Sequence, residues 1–241
     1  TGVRTQIENW SAKDKLGQRK DGGDERKIYF KPGNSTTLAD FKYASLGSLQ
    51  ANFAAAAVQT RMSQYSQMTQ AQKDAAVGAN LVSYLRGDTS KEGYVKNNVN
   101  KLYRTRDGVL GDIIGSQPVY VAKPLRKYKD QGYTQYREAQ MNRRPMVYVG
   151  SNDGMLHAFY AETDLNKKET IGGQQLPTAA REAWAYVPKA VMPEMARLAS
   201  IEYEGAHRYF VDGTPVVADI QVEGTWKTIL VGGFNKGGKG Y

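Results

Sequence analysis

Two stretches of this chain carry the same parts in the same order, and that repeat limits the folds open to it. GSQPVYVA (115–122) and DGTPVVAD (212–219) each pass from a small-residue turn through Pro-Val into alternating residues. MVYVGSNDG (146–154) and TILVGGFNKGG (228–238) each pass from a β-type run into a glycine-rich turn. A period of two reads as strand, because successive side chains point to opposite faces of a sheet. Repeated four-stranded antiparallel sheets with glycine turns are the mark of propeller blades. The predicted fold is mainly β: a partial β-propeller over residues 106–241, with one complete blade and most of a second. Two blades cannot close a ring, and the second would end on an unpaired strand edge. The natural chain is therefore expected to continue past Tyr241.

Within that half, strands are expected at Pro118–Ala122, on either side of the turn Ser151–Gly154, and at Ala183–Pro188. Pro118 suits the first position of a strand, where no ladder donor is needed. The polar stretch Glu162–Glu182 reads as a surface loop. MPEMARLASIEY reads as a short helix with Pro193 near its first turn. RYFVDGTPVVADIQV and WKTILVGGF form a hairpin joined at EGT. Asn152, Asp153, Gly154, Asp212 and Gly213 are assigned as structural turn residues.

Residues 1–105 read as a polar lead-in followed by a helical segment. One short strand is expected at Lys27–Phe30. SLGSLQANFAAAAVQTRM places Leu46, Leu49, Phe53, Ala56 and Ala57 on one helix face, with Ser45 or Ser48 as cap. TQAQKDAAVGANLVSYLRGD opens on Thr69 with Gln72 three residues on, a capping-box pattern. Val77, Leu81, Tyr84 and Leu85 form its apolar stripe, and Gly87 suits the residue past its end.

The 25 glycines and 16 tyrosines favour turn-rich β structure over a helical bundle. The absence of cysteine excludes a disulfide framework, a thiol nucleophile and a thiolate metal site. No apolar run is long enough to span a bilayer. The first residues carry no signal-peptide pattern, as is also expected of an interior piece of an exported chain. The net charge of +9 admits polyanionic partners or plain solubility.

Several motifs invite a chemical reading. Ser151, Asp153 and His157 suggest a hydrolase triad on paper. No Gly-x-Ser-x-Gly elbow accompanies them, and Ser151 and Asp153 belong to the turn, so a structural role is preferred. His207 also lies beside an Asp-Gly turn, and one histidine per blade suggests a repeated packing or hydrogen-bonding role. Two histidines without cysteine offer no zinc spacing, and no Asp-x-Asp-x-Asp-Gly calcium loop is present. No catalytic, cofactor or metal residue is assigned. VGGFNKGGKG (231–240) lacks the phosphate-loop spacing and reads as a blade turn. KPLRKYKDQGYTQYREAQMNRR (123–144) holds seven Lys and Arg against two acids, with tyrosines interleaved. That is the composition of a single-strand nucleic-acid groove, and also of a solvated loop, which is preferred; no specific nucleic acid is expected. Arg86-Gly87-Asp88 is an integrin-type tripeptide if displayed, and a helix end if not.

The ordered blocks YLRGD, LYRTRDGVLGDIIGSQPVYVAKP, RRPMVYVGSNDGMLHAFYA, EAWAYVPKAVMPEMARLA, HRYFVDGTPVVADI and WKTILVGGFNKGGKGY closely resemble the propeller region of the PilC/PilY family of type IV pilus biogenesis proteins and tip adhesins. The resemblance covers roughly residues 26–241 and is strongest at 107–122 and 143–241. It implies quinoprotein-like blades in an exported, non-enzymatic protein of the outer membrane surface and pilus tip. Such a protein is peripheral to the membrane, without a transmembrane segment. The implied partners are minor and major pilins and a host cell-surface receptor, an integrin among the candidates, since Arg86-Gly87-Asp88 falls where some members carry such a tripeptide. The implied roles are pilus extension, adhesion and twitching motility. The resemblance places calcium on a loop of the full-length protein that is absent here, so no cofactor is assigned to this chain. A quinone-dependent dehydrogenase and a periplasmic propeller scaffold are the competing readings, because they share the blade motif.

Overall fold

The computed structural model describes residues 11–18, 25–162, 164, 166–171 and 174–241. The first element among the described residues is α1 (Ala12–Gly17), capped by the Ser11 hydroxyl, which accepts the Asp14 N–H at 3.2 Å. Strand β1 (Ile28–Phe30) falls within the expected Lys27–Phe30, and β2 (Ala39–Asp40) pairs with it antiparallel.

The helical segment is more broken than its periodicity suggests. Residues 47–53 wind as a 3₁₀ helix, and only α2 (Ala55–Val58) follows as α-helix. Neither Ser45 nor Ser48 caps them. Ala54 is extended, with ψ 165°, and separates the two. Tertiary packing overrides propensity here: Phe53 is buried edge-on against Phe41 at 5.9 Å, while Ala56 lies exposed. The capping box on Thr69 and Gln72 starts α3 (Gln70–Ala75) as its spacing predicts. The expected single helix is two, because Gly78 turns the chain at φ +63° before α4 (Ala79–Arg86). Leu81, Tyr84 and Leu85 are buried, and Gly87 ends α4 in the left-handed region, φ +118°. A side chain there is strained and would also meet Val109.

Four strands build the blade: β3 (Val119–Val121) and, after α5 (Tyr133–Ala139), β4 (Met146–Ser151), β5 (Met155–Tyr160) and, past an excursion, the last strand of the meander. The excursion corrects the expected loop at 162–182. It carries a hairpin, β6 (Lys168–Ile171) and β7 (Gln174–Pro177), whose polar alternation pairs strand to strand without needing a core. Strand β8 (Glu182–Tyr186) then closes the blade against β5. The order β3-β4-β5-β8 is an antiparallel meander in which Val149 faces His157 and His157 faces Ala185. The sheet does not stop at four strands. β1 joins β8 in parallel, giving the six-stranded mixed order β2-β1-β8-β5-β4-β3.

The short helix expected here forms over residues 189–199 as a 3₁₀ run, with Pro193 inside it rather than in its first turn, and Met192, Met195 and Leu198 buried. The second hairpin, β9 (Val216–Val222) and β10 (Thr225–Val231), forms as predicted, turning at Glu223-Gly224 with φ +49° and +76°. β9 touches β3. The two repeated segments thus form equivalent, adjoining pairs, β3-β4 and β9-β10. The larger of two apolar clusters among the described residues runs from Ile28, Phe41 and Leu81 through Met155 and Val187 to Phe210, and the smaller holds Leu16, Val149 and Phe159.

Candidate functional site

The β4-β5 turn is the anchor of the site. Gly154 sits at φ +92°, which frees Asp153 to fold its carboxylate inward. Asp153 accepts the N–H of Met155 at 3.2 Å and of Gly111 at 3.1 Å. His157, two residues into β5 and 0% exposed, donates from Nε2 to both Asp153 oxygens at 3.1 Å. Its Nδ1 meets Glu182 of β8 at 2.7 Å. Arg26 grips both Glu182 oxygens, Nε at 2.7 Å and Nη2 at 2.6 Å. Arg26 Nη1 then donates to the Arg86 carbonyl at 2.6 Å, and Arg86 Nη2 returns a bond to the Arg26 carbonyl at 2.8 Å.

Two carboxylates and two cations therefore alternate through the protein interior. Burial alone would lower the His157 pKa; Asp153 and Glu182 overcome it and push the group up to about 9. Burial would raise Glu182, but the Arg26 guanidinium, with His157 behind it, holds the carboxyl well below its usual range. Asp153 is lowered likewise: its burial is outweighed by His157 and by the Gly111 amide. At neutral pH His157 is an imidazolium with both N–H groups committed. It has no lone pair to act as general base. The Ser151 hydroxyl is buried and turns to the Asp112 carbonyl at 3.5 Å and the Asp153 amide at 3.4 Å. The three residues suggested as a triad are brought near one another, but as a hydrogen-bonded brace.

The remaining turn residues do similar work. Asn152, buried, donates to Asp112 at 2.7 Å and accepts the Phe210 N–H at 3.0 Å. Asp212, also buried, accepts from Gly115 at 2.7 Å and from the Asn235 amide at 2.9 Å. The Gly213 N–H bonds the Gly233 carbonyl at 2.9 Å, so VGGFNKGGKG folds back on this turn. Asp153 and Asp212 thus each tie a blade turn to the 111–115 loop. His207 does not repeat the role of His157. It is exposed, outside any strand, and contacts Asp112 at 3.0 Å. It lines a cleft of about 560 Å³ with Asp112, Asp153 and Arg104, while His157 lies fully buried behind Asp153. Among the described residues no three His, Asp or Glu side chains are arranged to hold a metal ion.

Arg86-Gly87-Asp88 is built into the fold. Arg86 is 3% exposed, and its guanidinium also binds the Phe41 carbonyl at 3.1 Å. Gly87 is the helix end, and Asp88 caps the next turn through the Ser90 N–H at 2.8 Å. The segment 123–144 is not all loop: α5 seats Tyr133 and Tyr136 against Trp226, with Tyr128 stacked on the same indole. Arg26, Asp112 and Glu182 were not singled out by sequence. Asp112 stood in a noted motif, but Arg26 and Glu182 meet across 156 positions, a separation that no local pattern encodes.

An antiparallel meander whose turns are pinned by buried carboxylates defines a propeller-type module. Residues 110–241 match the family model of the PilY1 beta-propeller domain. The chain is 36% identical over 250 residues to the type IV pilus biogenesis factor PilY1 of Pseudomonas aeruginosa strain PAK, which covers 99% of this chain and 18% of that protein. It is 36% identical over 225 residues to a PilY1 homolog of Xylella fastidiosa, 90% of this chain and 15% of that protein. The chain belongs to the PilY1 family, and it spans less than a fifth of the length of these relatives. No solved structure matches it. Among the described residues no helix is long and apolar enough to cross a membrane.

Proposed function

We propose that the chain is part of an exported factor supporting type IV pilus biogenesis at the bacterial outer membrane surface and pilus tip. It acts by binding, to minor and major pilins and to a host cell surface, in support of pilus extension, adhesion and twitching motility, and not by turnover. The observation that carries this reading is family membership: the matched relatives are themselves named type IV pilus biogenesis factors. The committed N–H groups of His157 support the non-catalytic part of it. Adhesion is assigned to surfaces other than Arg86-Gly87-Asp88, because the Arg86 guanidinium is buried.

The test is deletion of the gene in the bacterium that encodes it, with surface pili counted by electron microscopy. Loss of pili and of twitching, restored by the full-length gene, is expected. An unchanged pilus number overturns the reading. Restoring the gene as Asp88→Ala should leave adhesion to integrin-coated surfaces unchanged; its loss in a stably folded variant would return the tripeptide to an adhesive role.

A further inference from the structure

The basic segment 123–144 holds a surface that pilus assembly does not explain. Of its seven Lys and Arg side chains, two are used internally and a third, Arg137, is half-buried on α5. Arg143 binds the Thr228 hydroxyl and the Ala122 carbonyl, and Arg144 pairs with Glu162 and Glu169. Lys123, Arg126, Lys127 and Lys129 are exposed and, among the described residues, make no side-chain hydrogen bond or ion pair. These four cations fall within KPLRKYK, which contains no acid. Leu125 stands among them 80% exposed, next to the buried Pro124.

The strip is anchored from below. Tyr128 stacks on the Trp226 indole at 5.9 Å with 19° between the planes, and Trp226 Nε1 donates to the Gln131 carbonyl at 2.9 Å. Aromatic packing thus fixes one side, and the cations, the Leu125 tip and the outer part of Tyr128 are left facing solvent.

Two kinds of polyanion suit four unpaired cations. A single-stranded nucleic acid needs free ring faces on which bases stack. Here Tyr136 lies on Trp226 and Tyr133 is buried, and Tyr128, 39% exposed, has one face on Trp226, so the strip offers no succession of free rings. A lipid surface needs cations for the phosphates and an apolar side chain for the acyl boundary, and the strip has both. We propose that residues 123–129 are a docking strip for an anionic, phosphate-bearing lipid bilayer, with Lys123, Arg126, Lys127 and Lys129 on the headgroups and Leu125 inserted below them.

Flotation of the chain with vesicles tests this. Vesicles of phosphatidylglycerol and phosphatidylcholine should carry it, more weakly as salt rises, and pure phosphatidylcholine vesicles should not. Replacing all four cations of the strip by Gln should weaken binding by at least about tenfold. The same charge change at exposed Lys31, Lys96, Lys168 and Lys239 should weaken it by less than about threefold, because the attraction is local. Leu125→Ser should weaken binding several-fold while the salt dependence persists. The proposal is overturned if both quadruple variants lose binding equally, if Leu125→Ser binds like the unaltered chain, or if the strip variant loses affinity for a thymidine oligonucleotide and keeps its affinity for vesicles.

Discussion

His157 shows how one residue can resemble a catalyst and serve as a brace. Its folded pKa, about 9, lies above its ordinary 6.5, so its contribution to stability is complete below 6.5 and disappears as pH rises through about 9. Asp153 and Glu182 shift the other way. Their contribution is present above their ordinary 3.8 and 4.5 and is lost as pH falls through the lower folded values. Stability to urea should therefore be greatest between about pH 5 and 6.5. His157→Gln should cost about 3–5 kcal/mol, since it leaves two buried carboxylates short of a cation. It should also remove the decline in stability between pH 7 and 9.5; a decline that persists in the variant would place its cause elsewhere. Half of this centre was legible in the sequence. The four-residue spacing of Asp153 and His157 sets both beside the same turn. Their partners Glu182 and Arg26 were illegible, because they arrive through sheet pairing with distant strands.

At the scale of elements, the sequence was most reliable where the backbone has few choices. The Glu223-Gly224 turn was readable because a primed turn, with its glycine, is the favoured way to join two twisted strands through two residues. Glu223 nevertheless occupies the left-handed region at φ +49°, which a long side chain disfavours. Glu223→Asn should raise stability by about 0.5–1 kcal/mol, seen as a higher urea midpoint with an unchanged slope. An unmoved or lower midpoint would mean that Glu223 supports the turn through its side chain. The capping box of α3 was readable for the same local reason. The 3₁₀ runs at 47–53 and 189–199 were not, because their winding answers to what Phe53, Met192 and Met195 must bury. The β6-β7 hairpin was missed because its strands are short and polar, without the apolar alternation that marks a buried face.

For the molecule as a whole, the change of period near residue 105 marks a change of secondary structure but not a gap in hydrogen bonding. β1, from the helical half, bonds to β8 of the blade: Ala185 N–H to the Lys27 carbonyl at 2.9 Å and Val187 N–H to Tyr29 at 2.8 Å. Arg26 reaches the blade's charged centre through Glu182, and Ile28 and Phe41 share a core with Met155 and Val187. The blade is a structural body that the lead-in completes. Native-state hydrogen exchange tests this directly. The amides of Ala185 and Val187, which hold β1, should open with the same free energy as those of β4 and β5, as one cooperative unit. Exchange of Ala185 and Val187 at a free energy well below that of Val149 and Phe159 would show the two halves unfolding separately, and would contradict the account.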